Sequence, residues 1–364
     1  MSKKLKPEPK LSVAKRQPPR WQRERNMVLI IWIVIPLIIV MALGLVGFWG
    51  YNTYVGVWTQ PIVEIGNETI GNATAGNVTT GNVTVLDMRY FVKMLRFYYI
   101  LNSQGNIDAT SFPYQILQQV ENNELVRQAA PGLGIQVSPD EVTEEINNGL
   151  ISSAAGEGNT TGNITGNITL PQTDLGKMYQ QWLNYIRLSN SEYRQVVEAS
   201  ILTQKLSDQF KQNVPTEAKQ VHVYAIQVDN EGNATEVENR LQNGEDFATL
   251  AAEYSTDETT KEYGGDLGWV PEGILSIAID LQVDQAAFSL SAGNVSQPIQ
   301  TSNGYYVIKV AEIDDNRPID DQYREMLASN ELNNWFEKQR NTNEIREYLT
   351  QTKATWAMNH IAIS

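Results

Sequence analysis

The residues of this chain leave a narrow range of chemistry open. There are two histidines, His222 and His360, and no cysteine, so neither a thiol nucleophile nor a zinc site of the usual His/Cys type can be assembled. A Ser-His-Asp triad would have to use one of those two histidines, and neither is followed by a nucleophile-type motif. The run Gly264-Gly265-Asp266-Leu267-Gly268 is too short for a phosphate loop and lacks its lysine. No metal and no cofactor is expected. What remains is chemistry by carboxylates, hydroxyls and apolar slots, and the stretch from Tyr254 to Val310, centred on Gly264 to Trp269, is where such groups gather.

The surrounding elements must position that stretch. Val221 to Val228 reads as a strand, Glu236 to Gln242 as a helix closed by Gly244, and Asp246 to Tyr254 as a helix whose Phe247, Leu250 and Ala251 share a face. A helical turn near Asp284 to Leu290, a short strand around Pro298 to Gln300 and the strand Tyr305 to Glu312 follow, and Asn303-Gly304 between apolar runs signals a hairpin. Residues 216–315 should therefore form a small α/β domain with a mainly antiparallel sheet. Before it, Leu86 to Leu101, Pro113 to Ala130, a segment opened by the capping sequence Ser138-Pro139-Asp140-Glu141, Asp174 to Leu188 and Ser191 to Asn213 carry helical patterns. After it, Asp320 to Gln339 and Glu344 to Thr355 return to helix, with Tyr323, Leu327, Leu332, Trp335 and Phe336 as the apolar face. The expected fold class is α+β: an all-helical lobe over 50–215, the C-terminal helices of 316–364 packed on it, and the α/β domain between.

The charge distribution separates the two ends. Net charge is −14, yet Met1 to Asn26 holds nine Lys/Arg against Glu8 and Glu24. An acidic body repels phosphate backbones, so no nucleic-acid partner is expected. Met27 to Trp49 carries no charged residue over 23 positions, enough to cross a bilayer core as one helix. The basic tail, 1–26, then marks the cytoplasmic side of a single-pass cell-membrane protein whose bulk is extracytoplasmic. Beyond it lie Gly-Asn repeats, Gly66 to Val85 in steps of five and Gly158 to Thr169 in steps of four, in which every Asn opens an Asn-x-Thr sequon. They read as low-complexity loop expansions that a glycosylating host can decorate.

In context the glycine-rich run means more than a turn. Asn243 to Ala251, Tyr254-Ser255-Thr256-Asp257, Gly264 to Trp269, Ala286 to Leu290, Gly293 to Pro298 and Gly304 to Lys309 follow in an order that resembles the parvulin (PpiC, or rotamase) family of peptidyl-prolyl cis-trans isomerases. The flanking helices resemble the chaperone arms of SurA-like and foldase-type parvulins. The resemblance implies an isomerase that assists the folding of exported proteins, with unfolded or extended polypeptides containing X-Pro as partners. An X-Pro bond crosses a barrier of about 18–20 kcal/mol because rotation destroys amide resonance. A catalyst must bind the twisted amide better than either planar isomer.

By resemblance the proline slot draws on Leu267, Leu275 and Phe288, with Val283 near the position of a family aromatic. The polar centre is Asp257, supported by Thr301 and Asn303. Here the chain departs from the family, because the two histidines of the parvulin floor align with Ala225 and Tyr306. His222 is an odd offset from Ala225 and falls on the opposite face of a strand. Tyr306 keeps a hydroxyl in the floor. The alternative reading is a non-catalytic holdase whose parvulin domain only binds extended segments; a third, a glycosylated surface scaffold, draws only on the Asn-x-Thr arrays.

Overall fold

The computed structural model describes residues 40–48, 51, 56–66, 78–80, 83–102, 107–157 and 172–361. The chain divides into two compact units, Met1–Gln60 and Pro61–Ser364, and the second holds the candidate site. Among the described residues no helix is long and apolar enough to cross a membrane. The expected span over 27–49 lies outside the described residues except for 40–48, a helix whose Val40, Met41, Leu43 and Phe48 are exposed. Most of the Gly-Asn repeats lie outside them too.

The second unit is a helix-rich α+β fold with two small antiparallel sheets. The first sheet combines β1 (Pro61–Ile65), β2 (Val78–Thr80), β3 (Val83–Asp87) and, from the far end of the chain, β8 (Ile345–Glu347), in the order β2-β3-β1-β8. It packs on α1 (Met88–Leu101) and α2 (Phe112–Ala129), and α3 (Pro139–Glu157), α4 (Gln172–Ile186) and α5 (Asn190–Asn213) pack on these helices and on one another. The expectation of an all-helical lobe is therefore corrected. These strands are three to five residues long, too short for a period-two pattern to stand out. β8 also interrupts the stretch Glu344 to Thr355 that the helical pattern covers whole. The sheet anchors on α2 through Thr84, whose hydroxyl donates to the buried Glu124 carboxylate at 2.6 Å.

Helix starts in the lobe follow from short polar side chains at the caps. Asp87 Oδ1 accepts from Tyr90 N at 2.9 Å. Ser138 and Glu141 form the capping box that their spacing announces, with Ser138 N donating to Glu141 Oε2 at 2.7 Å and Glu141 N to Ser138 Oγ at 3.2 Å. Ser189 and Glu192 form another at the head of α5.

The second sheet runs β5-β4-β7-β6, all antiparallel: β4 (Glu217–Val228), β5 (Asp266–Pro271), β6 (Ile299–Thr301) and β7 (Gly304–Pro318). Alternation along β4 and β7 gives it two apolar faces. Val223, Ala225, Ile308 and Val310 face α8 (Ile274–Ala278) and α9 (Leu281–Ser289). Ile226, Val228 and Val307 face α6 (Glu231–Gln242) and α7 (Phe247–Tyr254), meeting Val237, Phe247 and Leu250. Each such fully buried aliphatic contributes about 1.5–3 kcal/mol, so both faces tie the sheet firmly to its helices. The helix α10 (Asp321–Thr342) then leaves this sheet and packs along α5, and α11 (Gln351–His360) packs on α1.

Candidate active site

A cavity of about 380 Å³ opens on the α8 side of the second sheet. Ala225 and Gln227 of β4 and Tyr306 of β7 form one wall. Leu267 and Val270 of β5 form a second, with Ile274, Leu275 and Ala278 of α8 and the adjacent Ile279. Asp257 and Thr259 enter from the loop after α7, and Tyr323 and Met326 from α10. Apolar groups thus converge on one side and carboxylate, amide and hydroxyl groups on the other, which is the makeup of a site that holds an apolar ring and orients a polar bond.

Backbone hydrogen bonds place the polar side. Thr256 N donates to Gln227 O at 2.8 Å, and Gln227 N to Ser255 Oγ at 3.3 Å, so the loop leaving α7 is stitched to β4. Gly265 N donates to Thr260 O at 2.9 Å, and Ala225 N to Gly265 O at 2.8 Å, closing that loop against the same strand. Gly265 has φ 80°, and a Cβ there would lie 2.3 Å from Ala225 O. Only glycine fits that approach. The apolar side is held by Asp284, 4% exposed, whose Oδ1 accepts from Gly273 N at 2.9 Å at the start of α8. Burial pushes its carboxyl up, against the pull of backbone hydrogen bonds from Gly273, Ser276 and Leu275.

Asp257 carries the negative charge of the cavity. Partial desolvation raises its pKa, but hydrogen bonds from Thr259 and Thr260 outweigh this and hold the carboxyl below its usual range. Oδ1 accepts from Thr259 N at 3.0 Å and Thr259 Oγ1 at 2.5 Å, and Oδ2 from Thr260 Oγ1 at 2.6 Å. Tyr306, 8% exposed, has its phenol pushed up by burial and then by the Asp257 charge. At neutral pH the pair is a carboxylate and a neutral hydroxyl. Gln227 Nε2 donates to Asn303 O at 2.9 Å, which aligns the amide along the polar wall.

Asp257, Ala225, Tyr306, Leu267 and Leu275 come together on the cavity. Four other expected site residues do not line it. Val283 of α9 is fully buried in the core between that helix and the sheet, and Phe288 packs half-buried against the same core with Lys219 Nζ 5.9 Å from its ring centroid. Thr301 and Asn303 build the β6–β7 turn, Thr301 Oγ1 donating to Gly304 O at 3.0 Å and accepting from Asn303 N at 3.2 Å. His222 stays away from the cavity: its Nε2 lies 2.8 Å from Asp266 Oδ1 and its ring stacks on Trp269. Gln227 was legible, being two residues beyond Ala225 on the same strand face. Thr259, Tyr323 and Met326 had no local signal, since a hydroxyl in a loop and an i, i+3 apolar pair on a helix are ordinary.

The chain is similar to known proteins in both of its parts. Residues 215–312 match the PPIC-type PPIASE domain and residues 20–150 the SurA-like N-terminal domain. Foldase protein PrsA 3 of Bacillus anthracis is 30% identical over 159 residues, 40% of this chain and 52% of the relative. Foldase protein PrsA of Oceanobacillus iheyensis is 29% identical over 213 residues, 57% of this chain and 66% of the relative. The chain thus spans about half to two thirds of the length of these curated relatives. A crystal structure of the peptidylprolyl isomerase PrsA from Bacillus anthracis aligns with a TM-score of 0.40 and 21% identity, covering 68% of this chain and 98% of that one. From its matched segments, the chain carries a parvulin-type (PPIC-type) domain joined to a SurA-like N-terminal domain.

Proposed function

We propose that the cavity binds X-Pro segments of unfolded or extended polypeptides and accelerates their cis/trans isomerisation, the whole chain acting as a foldase for exported proteins. The observation that carries this reading is the junction of a carboxylate, an amide and a hydroxyl (Asp257, Gln227, Tyr306) with the apolar slot of Leu267, Leu275 and Ile274 in one cavity. The slot grips the pyrrolidine ring. As the amide twists, resonance is lost and the lone pair gathers on the prolyl nitrogen, where a neutral donor such as the Tyr306 hydroxyl stabilises it. Asp257 polarises that wall and stays ionised because Thr259 and Thr260 donate to it. No covalent step is required. Thr301 and Asn303 act at a distance, by fixing the turn whose Asn303 carbonyl holds Gln227. Val283 and Phe288 serve the slot as its backing.

A holdase is the second reading, favoured by Ala225 and Tyr306 standing where the family histidines align. Prolyl-isomerase turnover by the full-length protein on X-Pro peptides decides between them, with suppression of aggregation of an unfolded client measured alongside. Turnover lost in Asp257→Ala supports the enzyme. Absence of turnover with aggregation still suppressed supports the holdase. The uncharged run Met27 to Trp49 behind a basic tail supports an anchored, extracytoplasmic placement, which protease accessibility of 56–364 in intact cells tests.

A further inference from the structure

The matched domain ends at residue 312, yet two residues lining the cavity, Tyr323 and Met326, lie beyond it on α10. They are three apart on a helix and so present one continuous surface. Leu327 on the same helix lies against the head of α8, its Cδ2 3.1 Å from where a Cβ of Gly273 would stand. The helix is held in place from outside the domain. Lys211 of α5 pairs with Glu325, and Arg324 Nη2 donates to Lys211 O at 3.3 Å.

The cavity has more room than one proline ring needs. At about 380 Å³ it falls within the range of whole ligand sites, which leaves room for the side chain next to proline. The wall that side chain meets on the α10 side is apolar and aromatic, while the charge in the cavity, Asp257, is negative. An acidic neighbour is repelled and a large apolar one is accommodated.

We propose that α10 completes the isomerase site, with Tyr323 and Met326 contacting the residue that precedes proline and selecting a large apolar side chain there. This rests on the isomerase reading of the cavity. The helical lobe, by holding α10, thereby sets the substrate preference of the domain it flanks.

The test uses the full-length protein and peptides with Leu, Phe, Gly or Glu before proline, read both as kcat/KM for isomerisation and as Kd from fluorescence anisotropy of labelled peptides. Wild type should prefer Leu-Pro and Phe-Pro to Gly-Pro and Glu-Pro. Tyr323→Ala and Met326→Ala should each lower kcat/KM and affinity for the Leu and Phe peptides by about tenfold and hardly change those for Gly. Tyr323→Phe and Met326→Leu keep the wall and should keep the preference, which separates a lost contact from a damaged fold. Gln322→Ala, exposed on the same turn, is the control. Equal loss across all four peptides, or no loss, overturns the inference, as does wild type that neither binds nor turns over any peptide. Binding with the stated preference but no turnover overturns the isomerase reading and leaves the assignment of Tyr323 and Met326 standing.

Discussion

Gln227 and Tyr306 stand directly opposite each other in the β4–β7 ladder, and both line the cavity that Asp257 enters. Cross-strand partners project from the same face of a sheet, so the register alone brings an amide and a phenol side by side. Gln227 is fixed at its far end by the Asn303 carbonyl. Tyr306 has its ring buried in the core of that sheet face.

That pairing makes Tyr306→Phe an informative change. The ring keeps its packing, so stability should fall by no more than about 1 kcal/mol, the worth of one hydrogen bond. If the hydroxyl is the donor to the twisted amide, kcat/KM should drop by about tenfold or more. Combining it with Gln227→Ala should give less than the product of the single effects, because the two groups share one wall. Stopped-flow isomerisation assays with urea melts separate the two quantities, and a loss of stability matching the loss of turnover would argue against a chemical role.

The state of Asp257 sets the pH profile. Its folded pKa lies below the usual carboxylate range once the Thr259 and Thr260 hydrogen bonds outweigh desolvation. A depressed carboxylate is fully charged above its unfolded pKa and loses its charge only as pH falls through the folded one. Turnover should therefore be level from about pH 5 to 9 and fail in acid. Asp257→Asn should lower it roughly 10- to 100-fold across the level region. A wild-type rate that titrates near neutrality would point to another group.

Much of the site was legible because strand periodicity and family order act on the same residues. Ala225 and Tyr306 sit on one face of the sheet as alternation requires, and Leu267 and Leu275 meet them across the cavity. Val283 and Phe288 illustrate the limit. Apolar residues beside a slot and apolar residues behind it look alike in sequence. The contribution of α10 is invisible for another reason, since it arises from how α5 holds that helix, a contact between residues more than a hundred positions apart. The first sheet escaped because β1 and β8 lie far apart in the chain, Glu64 and its partner Arg346 being 282 positions apart, and neither is long enough to announce itself.

Gly265 tests the geometry that holds the polar loop to β4. With φ 80° and a would-be Cβ 2.3 Å from Ala225 O, Gly265→Ala combines backbone strain with a clash against main chain that cannot move alone. It should cost about 2–3 kcal/mol. Gly244, with φ 90° but open space around it, bears the strain alone, so Gly244→Ala should cost about 1 kcal/mol. Urea denaturation of both variants measures the difference. Gly265→Ala should also lower turnover, because Ala225 and Leu267 share the displaced backbone; equal stability losses in the two would mean that the close approach is not held in solution.

Glu121 on α2 makes the lobe sensitive to pH. The residue is 2% exposed, its Oε1 has no hydrogen-bond partner, and Arg340 of α10 approaches Oε2 only to 3.8 Å. Burial, and then the charge of Glu347, push its carboxyl up to about 7 against the pull of Arg340. A carboxylate raised in the folded state binds its proton more tightly there than in the unfolded chain. Its favourable contribution is whole below the unfolded pKa of about 4.3 and is lost progressively as pH rises to about 7. Beyond that the buried charge costs a constant amount, on the order of 3 kcal/mol from the size of the shift. Glu121→Gln removes the titration and leaves Arg340 its pair with Glu337 at 2.7 Å. The variant should therefore match wild type within about 1 kcal/mol at pH 5 and exceed it by about 1–3 kcal/mol at pH 8. Urea midpoints at the two pH values measure this, and a difference between variant and wild type that does not change with pH would place the titrating group elsewhere.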